Sequence, residues 1–323
     1  MGNLPSGAAP RLVRTEHRLD DQLFRNGVRA VAGGSFLLLV LIGLFLFLKA
    51  LPVFRREGFW HFLTSTGFQP IGPHPSVGVA ALLFWTVVIA VIAIVIAVPV
   101  SVGTAVFITE YAPPGLRRVL TSLIDLLAVV PAVIFGLWGF YMLQPNMAGF
   151  AAFLSAHLSF IPIFQTSSSI FKASAFIAGV LVGLMVVPVI TSIAREIFSL
   201  TPQGEREAAL SLGASKAAVV RRVVLPFARE GLVGAVMLGL GRAMGETIAV
   251  ALIVSPIFTI SPRILQAGAN PIAPFIATHF GFGGKLGLAG LVGAGFVLFC
   301  FTLVVNLAAS AVVNRSRTRS VAS

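Results

Sequence analysis

Six stretches of this chain are each apolar over about 20 residues or more, the length at which an α-helix crosses a bilayer. They cover residues 30–48, 79–107, 119–143, 175–194, 231–254 and 286–312. Only 11% of the 323 residues are charged, too few to cover the surface of a water-soluble fold. A further apolar segment, residues 151–164, is short and contains His157 and Pro162, so we expect it to lie at the interface or to re-enter the membrane. The sequence predicts an all-α membrane protein with six transmembrane helices.

Lys and Arg residues are distributed unevenly among the segments that join these windows. The segment before the first window and those after the second, fourth and sixth carry 16 of the 23 basic residues. The other connecting segments carry 6, and Arg242 lies inside the fifth window. Because basic residues favour the cytoplasmic side, both termini are predicted to be cytoplasmic. The net charge of +12 is therefore explained by topology, and no nucleic-acid partner is expected.

These windows predict four parts of the chain. Residues 1–29 form a cytoplasmic N-terminal arm, residues 30–78 the first transmembrane helix and an outer loop, residues 79–312 the transmembrane core, and residues 313–323 a cytoplasmic tail. The first helix follows an arginine-bearing arm and lacks a small-residue cleavage site, so we expect a retained anchor. The five histidines are scattered and Cys300 is single, which predicts neither a metal site nor an internal disulfide.

A polar loop of residues 195–230 separates the fourth and fifth windows and is predicted to hold two short helices. Thr201 is expected to cap the first, with Pro202 at the first helical position, where a missing N–H costs nothing. Gly213 is expected to stop this helix in a left-handed conformation. Ser215 is expected to cap the second helix, and Pro226 falls near its end.

The first loop helix combines small side chains with charges. Ala208 and Leu212 lie one turn apart, beside Ala209, and form a slim face that can enter a groove on a partner. Arg206 and Glu207 can make ion pairs at the rim of such a groove. On spacing alone, a helix that is merely solvated explains the pattern equally well.

Three ionisable residues fall inside the apolar windows, where charges are costly and usually face a cavity or one another. Arg242 lies roughly 16 Å into its window, near the membrane midplane, and Glu246 is expected one turn later on the same helical face. The pair can be a packing salt bridge, or Arg242 can offer its planar donors to an oxyanion while Glu246 tempers the binding. Asp125 is expected to pair with Arg117 or Arg118.

The loop also matches a longer pattern. Its residues are Glu207, Ala208, Ala209, Gly213, Leu225 and Pro226. Three residues separate Ala209 from Gly213, nine separate Gly213 from the β-branched Val223, and one separates Val223 from Leu225. This spacing resembles the EAA loop of ABC importer permeases, with Val223 where Ile is usual. The resemblance implies a type I ABC importer permease fold whose EAA loop, residues 207–226, couples the permease to a separate ATP-binding subunit. The chain has no Walker A motif, so ATP would be bound by that subunit and no cofactor by this chain.

Three further segments resemble the permeases of phosphate-specific ABC importers, particularly the PstC type. They are residues 130–139 (VPAVIFGLWG), 184–196 (LMVVPVITSIARE) and 240–250 (LGRAMGETIAV). Ala132 and Phe135 stand where Ser and Tyr are common in that family.

The family implies the role and the partners of the chain. It would form half of a phosphate path in the cytoplasmic membrane of a bacterium or archaeon, with Arg242 and Glu246 as path residues. Its partners would be a PstA-type permease, two PstB-type ATP-binding subunits, a PstS-type phosphate-binding protein and membrane lipid. Two alternatives stay open: a permease for another oxyanion such as molybdate or sulfate, and an ATP-independent transporter or channel. No nucleophile–base constellation points to an enzyme.

Overall fold

The computed structural model describes residues 19–281 and 283–320, and most of them are α-helical. The helices are α1 Leu19–Glu57, α2 Phe59–Thr64, α3 Ala80–Val106, α4 Pro114–Val129, α5 Ala132–Trp138, α6 Gln144–His157, α7 Ala175–Ser199, α8 Gln203–Ser211, α9 Lys216–Val219, α10 Leu225–Gly245, α11 Ile248–Ile253, α12 Ile272–His279 and α13 Gly284–Ser320. Three π-helical segments, Phe107–Tyr111, Gly139–Leu143 and Val220–Val224, follow α3, α5 and α9, and a 3₁₀ turn covers Pro162–Phe164. A small antiparallel hairpin pairs strand β1, Phe68–Gln69, with strand β2, Ser76–Val77.

Among the described residues, five helical stretches are long and apolar enough to cross a membrane. They are Gln22–Glu57, Ala80–Tyr111, Ala175–Ser199, Lys216–Gly245 and Gly284–Ala311. A sixth candidate is a bent pair, Pro114–Val129 with Ala132–His157, which is bent by 94° at the break. Six spans therefore result when this pair counts as one, which agrees with the number predicted. The boundary between two compact units of the chain falls within α1, between Phe45 and Leu46.

The bend of the third span lies at Val130 and Pro131. Both residues have extended backbone angles, with ψ of 128° and 138°. Proline has no N–H for the helix ladder and disfavours a helical conformation in the residue before it, so the helix breaks there. In the sequence, Pro99, Pro131 and Pro188 each interrupt an apolar window, where a proline can bend a helix. The third span bends at Pro131, whereas α3 and α7 continue through Pro99 and Pro188.

Helices α3 and α7 form the tightest pair in the core. Gly179 of α7 lies against Ile92, where an added Cβ would come within 2.5 Å of the Ile92 side chain. One turn later Gly183 lies against the backbone of Ala93, at 3.1 Å by the same measure. Small residues let two membrane helices approach closely and gain van der Waals contact, so α3 and α7 act as one support.

A buried polar contact joins the same two helices near Pro188. The Ser101 hydroxyl of α3 donates to the Val187 carbonyl of α7 at 3.0 Å, and Thr191 donates to that carbonyl at 2.7 Å. Ser101 and Thr191 are fully buried. Both hydroxyls are therefore satisfied by one helix carbonyl inside an apolar core.

One further apolar cluster fixes the loop between α7 and α10. Its buried members come from the end of α3, the last turns of α7, the second loop helix and the start of α10: Ala105, Ala194, Phe198, Val219, Val224 and Ala228. The loop therefore rests on the ends of two membrane helices and does not extend freely from them.

Candidate functional site

The first loop helix, α8, ends in a Schellman motif. The Gly213 N–H donates to the Leu210 carbonyl at 2.9 Å, and the Ala214 N–H donates to the Ala209 carbonyl at 3.1 Å. Gly213 has φ of +82°, a left-handed angle that residues with a Cβ rarely adopt. The predicted stop at Gly213 is confirmed. Ala209 and Ala214 are half-buried on the loop cluster, so the turn is closed by hydrogen bonds and apolar contact.

The two predicted N-caps have different outcomes. Ser215 caps α9, since its hydroxyl accepts the Ala218 N–H at 3.3 Å. The prediction for Thr201 was wrong: α8 begins at Gln203, after Pro202, with no side-chain cap. The Thr201 N–H instead donates to the Phe198 carbonyl at 3.2 Å, because α7 runs to Ser199 and uses this residue to close its last turn.

Pro226 does not end the second loop helix, contrary to the prediction. The helix runs without interruption from Lys216 to Gly245, through the π segment Val220–Val224. The Leu225 N–H donates to the Val220 carbonyl, five residues back, and Pro226 then stands in the first turn of α10. The first turn of an α-helix tolerates a residue without an N–H. Because the π segment ends just before α10, Pro226 stands in such a first turn, and the chain continues past it as one helix.

One face of α8 is open to solvent. Glu207 and Ala208 are exposed, and Leu212, just beyond the helix, is 89% exposed. Ala209 turns towards the loop cluster. Small exposed side chains let a helix approach a partner closely, and an exposed apolar side chain beside them can be buried in the contact. The geometry therefore gives α8 an outward face for a partner and an inward face for the membrane helices.

An ion pair fastens α8 to the end of α3. Arg206 Nη1 lies 3.1 Å from Glu110 Oε1, without hydrogen-bond angles, so this contact acts through charge. Arg206 also donates through Nη2 to the carbonyl of Phe198 at the end of α7. The side chains of Arg206 and Glu110 are 21% and 12% exposed. The sequence placed Arg206 at the rim of a partner's groove; it is turned inward instead, and it ties α8 to two membrane helices.

Glu110 is a residue that sequence reasoning missed. It follows the long apolar window of α3 directly, in the π segment Phe107–Tyr111. A carboxylate at the end of an apolar span needs a cationic partner or water, so its position in the sequence already marked Glu110 as a candidate for an ion pair. Its partner is 96 residues away in the sequence, so the pairing itself could not be inferred from local spacing.

Arg242 and Glu246 are not one turn apart on a single helix. Helix α10 ends at Gly245, and Glu246 has an extended conformation with ψ of 126°. The hydroxyl of Thr247 donates to the Gly245 carbonyl at 2.9 Å, and α11 begins at Ile248. No ion pair within 4.0 Å joins Arg242 to Glu246 or to another residue in the described ranges. Of the two interpretations of this pair, the packing salt bridge is therefore not formed, because the helix ends between Arg242 and Glu246.

The break leaves Arg242 exposed and Glu246 half-buried on the surface of this chain. A guanidinium on a membrane span is too costly to leave in contact with lipid tails, so it faces protein or water. Broken helices also free backbone groups that are satisfied by neighbouring protein or by a water-filled cavity. The surface around residues 242–246 is thus the part of the fifth span that requires a polar environment.

Asp125 has a different partner from the one predicted. Its Oδ1 lies 3.5 Å from Nη2 of Arg195 on α7 and accepts a hydrogen bond from Ser192 at 3.2 Å. Arg117 and Arg118 make no ion pair with the residues that the structure describes. Asp125 therefore joins α4 to α7, whereas sequence proximity had suggested a bond within α4.

Comparison with known proteins places this arrangement in a family. Residues 97–318 match the family described as "Binding-protein-dependent transport system inner membrane component". The chain belongs to this family. The match covers the bent third span, the EAA loop and the broken fifth span, so the features described above lie inside the family's own domain.

Two similar proteins show which kind of transport component this chain resembles. It is 40% identical over 299 residues to "Phosphate transport system permease protein PstC 2" of Mycobacterium tuberculosis, covering 91% of this chain and 92% of the relative. It is 38% identical over 296 residues to "Phosphate transport system permease protein PstC" of Mycobacterium leprae, with 90% and 92% covered. The chain groups with the PstC permeases, as its motifs had suggested.

A solved structure shares the fold. A chain from the crystal structure of a bacterial ABC transporter involved in the import of the acidic polysaccharide alginate aligns with a TM-score of 0.55 at 17% identity, covering 91% of this chain and 99% of that one. Together with the family match, this likeness confirms the predicted ABC importer permease fold. The cytoplasmic location of the termini stays a prediction.

Proposed function

We propose that this chain is the PstC-type permease subunit of an ATP-driven importer of inorganic phosphate in the cytoplasmic membrane. The observation that carries the proposal is helix α8: its outer face is exposed while Arg206 and the loop cluster fasten its inner face to α3 and α7. A helix held in this way can transmit force from a soluble partner to the membrane helices. The family match and the PstC relatives support the same role.

In this proposal the EAA loop is the contact with a PstB-type ATP-binding subunit. Ala208 is small and exposed, so α8 can lie deep in a groove, while Glu207 pairs with a basic residue at its edge. Gly213 fixes the end of α8, and Ala209 fixes its inner side. Leu225 and Pro226 join the loop to the fifth span. Two such ATPase subunits, a PstA-type permease and a PstS-type phosphate-binding protein would complete the importer, and ATP would bind to the ATPase subunits.

The phosphate path is proposed to pass Arg242 and Glu246. Arg242 offers a planar set of N–H donors that matches the oxygens of phosphate. Glu246 lies beyond the break in the helix, close by in the chain but without an ion pair, so the guanidinium keeps its donors for an anion. A carboxylate nearby repels the anion and limits the strength of binding, which speeds release. Discontinuous helices near the midplane are the usual place for such a site in transporters.

The test is uptake by proteoliposomes that contain the four kinds of subunit. Gly213→Asp and Glu207→Arg are each expected to abolish ATP-driven uptake of labelled inorganic phosphate while the permease still inserts. Gly27→Asp is the matched control, because Gly27 also has open space around it but lies in α1, outside the EAA loop. Normal uptake in either loop variant contradicts the coupling role. Unlabelled sulfate and molybdate are added as competitors, and competition equal to that of phosphate contradicts the substrate assignment.

A further inference from the structure

We propose that the groove between α4 and α7 is a binding site for one anionic phospholipid, with the headgroup phosphate on Arg117 and Arg118 and an acyl chain in the apolar pocket that follows. This site is separate from Arg242 and from the EAA loop. Two pockets carry the inference, one rich in arginine and one apolar, because both are formed by the same two helices.

The first pocket lies where α4 begins and α7 ends, and it has a volume of about 510 Å³. Arg117, Arg118 and Thr121 line it from α4, and Arg195, Glu196 and Ser199 line it from α7. Arg195 is held by Asp125, whereas the Arg117 and Arg118 side chains are exposed and make no ion pair with a described residue. Three guanidinium groups against the two carboxylates of Glu196 and Asp125 leave a charge of +1. That charge matches the single negative charge of a phosphodiester.

The second pocket has a volume of about 480 Å³ and is lined almost entirely by apolar side chains. Ile124 and Leu127 contribute from α4, and Leu184 and Pro188 contribute from α7. Val130 contributes from the bend that follows α4. Trp138 and other residues of α3 and α5 close its remaining sides. Its volume falls in the range of about 300–1,000 Å³ that is typical of ligand sites. No charged residue lines this pocket, so it suits a hydrocarbon chain and not a free anion.

The two pockets follow one another along the same helix faces. On α4, Arg117, Thr121 and Ile124 are separated by four and three residues, which places them on one face. On α7, Ser199 and Arg195 of the first pocket share a face with Pro188 and Leu184 of the second, at separations of four, seven and four. The seven residues from Arg195 to Pro188 span about 10 Å of helix.

This alignment selects an amphipathic ligand. A free phosphate ion would use the first pocket alone, and an alkane would use the second alone. A phospholipid uses both, because its phosphate lies at the membrane surface and its chains run inward. The arginine pocket also lies at the end of α4 that is predicted to be cytoplasmic, the side where basic groups between membrane helices bind anionic headgroups.

The exposure of α4 fits the same ligand. None of its side chains is buried, and Leu127, which lines the apolar pocket, is 49% exposed. Asp125 joins the helix to α7 through Arg195 and Ser192. A lipid in the groove would add apolar contact between α4 and α7 and hold the first arm of the bent span in place.

The experiment uses the assembled importer, reconstituted in vesicles of four parts phosphatidylcholine to one part phosphatidylglycerol. After extraction into mild detergent, native mass spectrometry counts the phosphatidylglycerol molecules that stay bound. The double variant Arg117→Gln/Arg118→Gln is expected to lower the affinity of one bound phosphatidylglycerol per permease about tenfold or more. The matched control is Arg25→Gln/Arg29→Gln, which removes two exposed arginines from α1 on the same predicted side.

A second variant tests the apolar pocket and protects against misfolding of the first. Leu127→Trp fills the pocket and leaves all three arginines in place, so it is expected to release the same lipid. Unchanged phosphatidylglycerol retention in either variant overturns the proposal. If millimolar inorganic phosphate releases the lipid equally well from the wild type and from Leu127→Trp, the apolar pocket contributes nothing and the site binds a free anion instead. A wild-type complex that retains no phosphatidylglycerol, with the groove cross-linked to the partner permease, would show that a protein covers it.

Discussion

Gly213 provides the sharpest test of how the EAA loop is built. Its φ of +82° costs a residue with a Cβ about 1–2 kcal/mol. No atom lies within 4 Å of the position that the Cβ would take, so a clash adds nothing. Alanine also reduces the entropy of the unfolded chain, which returns about 0.4–1 kcal/mol. Gly213→Ala is therefore expected to destabilise the end of α8 by about 1 kcal/mol, a factor of about five in the local opening equilibrium.

The assay is amide hydrogen exchange on the purified permease, measured on peptides that cover residues 203–215. The amides of Gly213 and Ala214 close the turn, so their peptides are expected to exchange about fivefold faster in Gly213→Ala. Gly213→Asn is expected to lie between the wild type and Gly213→Ala, because asparagine tolerates left-handed angles better than other residues with a Cβ.

Gly204 supplies the matched control within the same helix. It also has open space around its missing Cβ, but its φ is not positive. Gly204→Ala is therefore expected to stabilise α8 by about 0.5–1 kcal/mol and to slow exchange. If both alanine variants shift exchange in the same direction and by the same factor, the left-handed turn at Gly213 does not control the stability of α8.

Three further predictions concern the membrane helices. Arg242→Gln is expected to remove phosphate uptake while the ATPase subunits still co-purify; unchanged uptake would reduce the residue to a packing role. Arg206→Met leaves the Glu110 carboxylate without its partner and is expected to lower the stability of the loop by about 1–3 kcal/mol, read as faster hydrogen exchange of α8 than in Arg206→Lys. Equal exchange in both variants would argue against the ion pair. Gly179→Leu places a side chain against Ile92 and is expected to reduce the thermal midpoint of the permease, whereas Gly149→Leu, with open space around it, is expected to leave it unchanged.

The sequence predicted well those features that depend on neighbouring residues. Gly213 and Ser215 each act on amides within five residues, and both do what their chemistry suggests. The apolar windows predicted the spans because the bilayer demands length and hydrophobicity wherever a helix lies. The bend at Pro131 follows from the missing N–H of a single residue.

Other features depend on residues that are distant in the chain. Asp125 binds Arg195 although Arg117 and Arg118 are nearer in sequence, because packing of α4 on α7 decides which guanidinium it meets. Glu110 meets Arg206 for the same kind of reason.

The break of the fifth span was also missed in the sequence. Glycine is common in membrane helices, and Gly245 alone did not mark a helix end. The structure places the end there because Glu246 leaves the helical conformation directly after it.

The continuous helix from Lys216 to Gly245 has a mechanical consequence. Thirty residues form a rod of about 45 Å, and a tilt of about 5° at one end would move the other end by about 4 Å. One end of this rod lies in the EAA loop and the other carries Arg242 just before the helix breaks. Movement of the loop would therefore displace Arg242 at the far end of the helix. The chain would bend at the break after Gly245.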